Sequence, residues 1–177
     1  MARFNFLEKM IKENKYKVGV EIGVQQGTTF KHLISKCEGL ELYGVDIWST
    51  KNVRWDGSTS EDLEKDKTSV NYGYYLDLQN WITFQAGAKD RAHLIRKLSL
   101  DAAKDFQDES LDFIFIDASH QYPAVLDDMK AWIPKVRKGG LVSGDDYGDK
   151  FPGVAKSVAE YGHPFGLNGP VWWWIKD

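Results

Sequence analysis

The residues best suited to chemistry lie where short apolar runs end. The first group is Glu21-Ile22-Gly23-Val24-Gln25-Gln26-Gly27-Thr28-Thr29, at the close of one run and the start of a helical period. Gly23 and Gly27 let the backbone turn tightly and approach a ligand, with a helix N-terminus behind them. Gln25 stands where a dinucleotide fingerprint G-x-G-x-x-G carries its middle glycine, which disfavours close approach of a pyrophosphate. Glu21 would repel a diphosphate and attract the ammonium group of an amino acid. The next run ends in Gly44-Val45-Asp46, about 20 residues on, where an acid can accept from both ribose hydroxyls. Taken singly, Glu21 and Asp46 also look like polar strand ends meeting solvent. Together with the glycine loop they suit an adenosine carrying an amino acid and no phosphate, which is S-adenosylmethionine.

A second constellation follows at Asp117-Ala118-Ser119-His120 and Gly144-Asp145-Asp146-Tyr147. If the strands ending there are neighbours, Asp117, Asp145 and Asp146 crowd one volume and must take up protons or bind a cation. An all-oxygen set suits a hard divalent ion, Mg²⁺ first, with Mn²⁺ or Ca²⁺ as alternatives. Such an ion lowers the pKa of a bound hydroxyl and orients it as a nucleophile. His120 lies just beyond Asp117, and histidine is the side-chain type best suited to general-base work near neutral pH. The implied reaction is in-line methyl transfer to a hydroxyl oxygen of a small-molecule acceptor. The plainer alternatives are a loop hydrogen bond for His120 and a turn cap for Asp146.

The elements that must position these groups alternate between short apolar runs and helical periods, the pattern of a doubly wound, mostly parallel α/β sheet in three layers. A leading helix over Phe4 to Asn14 opens the chain. Strands are expected at Val18 to Ile22, Leu40 to Asp46, Ile82 to Ala86, Phe113 to Asp117, Leu141 to Ser143 and Val171 to Ile175. Helices are expected through Phe30, Leu33, Ile34 and Cys37; through Leu94, Ile95 and Leu98; and through Val125, Met129, Trp132, Ile133 and Val136. Lys138-Gly139-Gly140 would close the last of these, and a further helix starts after Pro152-Gly153. Trp48 to Asn80, polar and dotted with Trp55, Tyr72, Tyr74 and Tyr75, is too long for a structureless loop and reads as a partly helical substrate lid. Gly162 to Pro170 leaves little room for another strand. No repeat or linker divides residues 1–177, so a single domain is expected.

With 177 residues, 42% hydrophobic and 28% charged, the composition is that of an ordinary globular domain. A net charge of −3 lacks the basic field that nucleic-acid binding requires. No run approaches a membrane span, no signal core precedes Glu8, Lys9, Lys12 and Glu13, and the single cysteine, Cys37, suits a reducing compartment. A cytoplasmic protein is the expectation, with Cys37 a buried small hydrophobe.

The stretches VGVEIGVQQGTTF, LYGVDIW, LDFIFIDASHQYPAVLDDMKAWIPKVRKGGLVSGDDYGD and FPGV resemble small class I S-adenosylmethionine-dependent methyltransferases. The likeness is greatest to the bacterial group of macrolide-sugar O-methyltransferases and cephalosporin-biosynthesis methyltransferase-like proteins, and it spans about Val18 to Tyr161. It implies that Glu21, Gly23, Gln25 and Gly27 line the methionine end and that Asp46 binds ribose. It also implies that Gly87 and Ala88 lie on the adenine side, that Asp117 borders the cofactor, that Asp117, Asp145 and Asp146 hold Mg²⁺, and that His120 is the base. At Gly87-Ala88-Lys89 the chain departs from the Gly-Asp-Ser common in the group. Two other classes stay open: a nucleotide-sugar or dinucleotide oxidoreductase, which Glu21 and the missing glycine oppose, and a non-catalytic assembly protein. In the second, Trp172, Trp173 and Trp174 would join subunits into a homo-oligomer through an edge strand.

Overall fold

The structure is a computed structural model that describes residues 2–50, 59–85 and 87–177. In chain order the elements are α1 (Arg3–Asn14), β1 (Val18–Ile22), α2 (Thr28–Lys36), β2 (Glu41–Asp46), α3 (Ser60–Lys65) and α4 (Val70–Phe84). They continue with β3 (Ala92–Arg96), the short α5 (Ser99–Ala102), β4 (Leu111–Ile116), α6 (Ala124–Trp132), β5 (Val136–Gly144), α7 (Pro152–Tyr161), β6 (Gly166–Asn168) and β7 (Val171–Ile175). The sheet runs β3-β2-β1-β4-β5-β7-β6. Its first five strands pair in parallel, and β7 returns antiparallel beside β5 with β6 outside it. Strand order reverses between β1 and β4, so the crevice beyond their carboxyl ends is where such a sheet takes a ligand.

β4 shows why the sheet needs cover on both faces. Phe113 and Phe115 enter one buried cluster, with Phe6, Leu7 and Ile11 of α1 and Phe30, Leu33 and Ile34 of α2. Ile114 and Ile116 enter the other, with Val125, Met129 and Trp132 of α6 and Val154 and Val158 of α7. Alternating side chains of a strand point to opposite faces, so apolar residues at every position require two helical layers. Cys37, just past α2, is buried, and that burial pushes its thiol pKa up, as an inert core residue requires.

Three expected elements are corrected. The strand expected over Ile82 to Ala86 is not found in its described part: Ile82 lies in the last turn of α4, whose start is capped by the Ser69 hydroxyl accepting from Asn71 N, and Ala86 lies outside the described residues. The third strand is Ala92–Arg96, in register with Leu42 to Asp46, so Leu94 and Ile95 are strand residues. As an edge strand it is only part-buried beyond Ala92, and no long apolar run marks it. Lys138-Gly139-Gly140 does not close a helix. α6 ends at Trp132, a 3₁₀ turn through Pro134 follows, and these residues lie inside β5, where Gly139 takes a positive φ of 74°.

The segment from Trp48 to Asn80 holds α3 and most of α4, a partly helical stretch; Trp55 lies outside the described residues. A three-residue strand, β6, does fit between Gly162 and Pro170. It pairs with β7 and so removes β7 from the sheet edge. Trp172 and Trp174 are buried, and Trp173, part-buried, packs against Phe6, so all three indoles contribute to core packing. No helix among the described residues is long and apolar enough to cross a membrane.

Candidate functional site

The loop after β1 is shaped by contacts within the chain. Gly23 donates its N–H to Val45 O at 2.8 Å and takes a φ of 90°. A Cβ there would lie 2.2 Å from the Asp117 carbonyl oxygen, so β1 and β4 turn past each other only with glycine at 23. Gly27, at φ 75°, starts α2 where a Cβ would meet Leu78 of α4. Gln25 occupies the left-handed region without being glycine, at φ 50°. Asp46 clamps this loop: its Oδ2 accepts from Val24 N at 2.9 Å and Gln25 N at 2.8 Å, and its Oδ1 from Trp48 N at 2.7 Å. Burial raises the Asp46 pKa and these backbone donors work against the rise. Oδ2 takes both loop donors, so Oδ1 is the oxygen better placed for a ligand hydroxyl.

A cavity of about 560 Å³ lies between this loop, the tip of β2 and the tip of β4. Glu21, Gly23, Gln25, Asp46, Asp117, His120 and Asp146 all border it. Glu21 is 2% exposed, and its Oε2 has no hydrogen-bond partner among the described residues. Burial, then the Asp117 carboxylate, hold its pKa well above the ordinary glutamate value, with Arg3 opposing. A buried carboxylate oxygen without a donor is costly, and a cationic ligand group in the cavity would satisfy it. Burial likewise pushes Asp117 up to about 7; Asp145, Asp146 and Asp46 add to the shift while Arg3 opposes it.

A second, larger cavity of about 1280 Å³ shares Ile47, Ser99, Ala118, Ser119 and His120 with the first and extends over Leu100, Tyr122, Lys150 and Phe151. His120 stands in the shared wall. Its ring stacks on Phe151 with centroids 4.1 Å apart, and its Nε2 lies 2.7 Å from Asp146 Oδ2. Two cavities meeting at one imidazole can bring two ligands to a single reacting point.

The cation-binding set differs from the expected one. Asp117, His120 and Asp146 bring one donor atom each within 4.8 Å of one another. Asp145 is not in that group: its Oδ2 accepts from Arg3 Nη1 at 2.8 Å, and the same nitrogen is 3.2 Å from Asp117 Oδ2. A guanidinium therefore stands where the three-aspartate site was expected. Gly87 and Ala88 are corrected as well. Because the true β3 begins at Ala92, they precede it, at the end of the sheet away from the cavity, and Ala88 is buried in the core. Lys97 and Ser99, beyond the carboxyl end of β3, border the cavity in their place.

Arg3, Thr29, Ser49 and Asn71 also border it: Thr29 belongs to the glycine-turn motif and Ser49 and Asn71 to the expected lid segment, whereas Arg3 belongs to no motif. Correct placement of β3 would have found Lys97 and Ser99, whereas Arg3 is brought in by the packing of α1, which no local motif records.

A family described as "Methyltransferase domain" matches residues 20–147. The chain is 33% identical over 151 residues to uncharacterized protein R132 of Acanthamoeba polyphaga mimivirus, covering 80% of this chain and 59% of that protein. The chain thus spans less than two thirds of that relative's length. Among solved structures it is similar to the O-methyltransferase NovP, at 16% identity with a TM-score of 0.70, over 98% of this chain and 79% of that one. It is also similar to CalS11, a TDP-rhamnose 3′-O-methyltransferase of calicheamicin biosynthesis, at 14% identity and a TM-score of 0.67, over 96% and 77% of the two chains. An O-methyltransferase from Bacillus cereus in complex with SAH matches at 15% identity and 0.62, over 99% and 82%. At these identities the structural likeness concerns the fold.

Proposed function

The chain belongs to the methyltransferase-domain family, and from that premise we propose that it moves a methyl group from S-adenosylmethionine to a hydroxyl oxygen of a small molecule. The observation that carries this reading is Glu21: a buried, unpartnered carboxylate at the mouth of the glycine turn, facing a cavity that Asp46 also borders. The cofactor's ammonium group would satisfy Glu21 Oε2, and a ribose hydroxyl would reach Asp46 Oδ1. A diphosphate at the same turn would meet Glu21 charge to charge, which disfavours a dinucleotide oxidoreductase.

The acceptor would occupy the larger cavity, with its hydroxyl at His120. His120 Nε2 lies 2.7 Å from Asp146 Oδ2; in the tautomer that donates Nε2–H to that carboxylate, Nδ1 is the basic nitrogen and Asp146 stabilises the imidazolium once formed. The acceptor oxygen attacks the methyl carbon as its proton passes to His120. The C–S bond breaks with its electron pair going to sulfur, giving S-adenosylhomocysteine and a methyl ether. Walls that hold both reactants in line supply much of the acceleration.

A divalent ion such as Mg²⁺ does not fit the three-aspartate set, because Arg3 stands between Asp117 and Asp145. Asp117, His120 and Asp146 are the residues that would hold one, and their mixed oxygen–nitrogen set suits Mn²⁺ as well as Mg²⁺. When bound, the ion would lower the pKa of an acceptor hydroxyl. The NovP and CalS11 likenesses make sugar hydroxyls the first acceptors to try, with phenols and polyketide alcohols after them.

The test pairs calorimetry with S-adenosylhomocysteine and transfer of a radiolabelled methyl group to that acceptor panel, with and without EDTA. Heat of binding and label in at least one acceptor are expected. Absence of heat at millimolar ligand removes the cofactor reading, and full transfer in EDTA removes the ion.

A further inference from the structure

We propose that Arg3 is a built-in cation: its guanidinium takes the place of a divalent metal ion between Asp117 and Asp145, so that this side of the site works with no metal taken up from solution. The inference goes beyond the proposed reaction and does not depend on the identity of the acceptor. It rests first on geometry. Arg3 Nη1 donates to Asp145 Oδ2 at 2.8 Å and lies 3.2 Å from Asp117 Oδ2, while Nε donates to Thr29 Oγ1 at 3.2 Å. The two carboxylates are 10% and 5% exposed, and the second oxygen of Asp145 is buried without a hydrogen-bond partner among the described residues. Arg3 is thus the charge that keeps two crowded acids compatible with burial.

Its place in the fold supports the assignment. Arg3 is the first residue of α1, whose first turn carries no acid. A helix N-terminus favours anions and disfavours a cation, so helix formation gives no reason for arginine here, whereas the two strand-tip carboxylates do. The helix is fixed by buried Phe6, Leu7 and Ile11 and by Glu8 Oε2, 2.7 Å from His32 Nε2 on α2. The guanidinium is accordingly presented from a packed element and not from a free end. Guanidinium is planar, bridges carboxylates well and keeps its charge at every working pH. An ion bridging Asp117 and Asp145 would need the carboxylate oxygens that Arg3 Nη1 already engages, so at that position the two cations exclude each other.

The experiment titrates Mn²⁺ alone into the whole chain by calorimetry, in wild type, Arg3→Gln, Arg3→Lys and the double variant Arg3→Gln/Asp145→Asn. Arg3→Gln should bind Mn²⁺ about ten- to a hundredfold more tightly than wild type, the range over which neighbours of a metal site tune affinity. Arg3→Lys should stay at the wild-type level, and Asp145→Asn should cancel the gain. Unchanged affinity in Arg3→Gln, or a gain that survives Asp145→Asn, overturns the proposal. A second measurement needs no variant. In the wild type, the Arg3 Nε–H resonance should hold its position and slow exchange as millimolar Mg²⁺ is added, and displacement of that signal by the ion overturns the assignment equally.

Discussion

Replacing Glu21 by glutamine should strengthen the fold and weaken the cofactor site at once. The side chain is 2% exposed, its Oε2 has no hydrogen-bond partner among the described residues, and Asp117 and Asp46 lie near enough to raise its pKa. Because the folded pKa is raised above the unfolded one, the native chain binds the proton more tightly. The contribution of Glu21 to stability is then complete below the ordinary glutamate pKa and is lost as pH rises toward the folded value. Glutamine cannot ionise, so Glu21→Gln should gain on the wild type in melting temperature progressively from about pH 4.3 upward. Binding should change the other way. An ammonium about 3 Å from a carboxylate at an effective dielectric of about 20 is worth roughly 5 kcal/mol of attraction. Desolvation takes back much of it, leaving about 1.5–3 kcal/mol for a charged hydrogen bond. That amounts to roughly a ten- to 150-fold loss of affinity for S-adenosylhomocysteine. Calorimetry reads this directly, with 5′-methylthioadenosine, which lacks the amino-acid end, as the ligand whose affinity should not move. Equal loss for both ligands, or a melting temperature lowered by the substitution, would refute the assignment of Glu21 to the ammonium group.

His120→Ala should lower methyl transfer by about 10²–10⁴, with affinity for S-adenosylhomocysteine largely retained; a smaller change in single-turnover rate would remove the base. Asp117, pushed up to about 7, holds a proton in the folded chain that the unfolded chain has released. Ligand-free stability should therefore fall between about pH 4 and pH 7, a trend checked by thermal melts and contradicted by a melt that is flat or rising in Asp117 wild type relative to Asp117→Asn. Gly23→Ala should cost about 1–2 kcal/mol from the left-handed backbone alone, and more from a Cβ 2.2 Å from the Asp117 carbonyl. Urea unfolding should register the loss, whereas Gly27→Ala, which meets only the Leu78 side chain, should cost less; the reverse order would show that the loop is held differently.

Much of this protein is written locally. The doubly wound sheet, the glycine turn between β1 and α2, and the acids at the ends of β1, β2, β4 and β5 follow from apolar runs whose last residue turns polar. A parallel strand buried on both faces must be apolar throughout, as β4 is from Phe113 to Ile116, and that constraint shows in a handful of consecutive residues. β3 escapes it. As an edge strand it is only part-buried beyond Ala92, so its periodicity is weak, and mistaking it for helix carried the adenine-side expectation to Gly87 and Ala88.

What tertiary structure alone decides is which charges meet. Asp145 and Asp146 are adjacent in the chain, yet one turns to Arg3 and the other to His120, because the backbone at Asp146 takes a positive φ of 63°. Arg3 lies 142 residues from Asp145. Only the docking of α1 on the sheet, driven by burial of Phe6, Leu7 and Ile11, brings its guanidinium to the strand tips. Hydrophobic periodicity specifies that a helix packs and which face it buries. It carries no record of where the polar residue at that helix's end will come to rest.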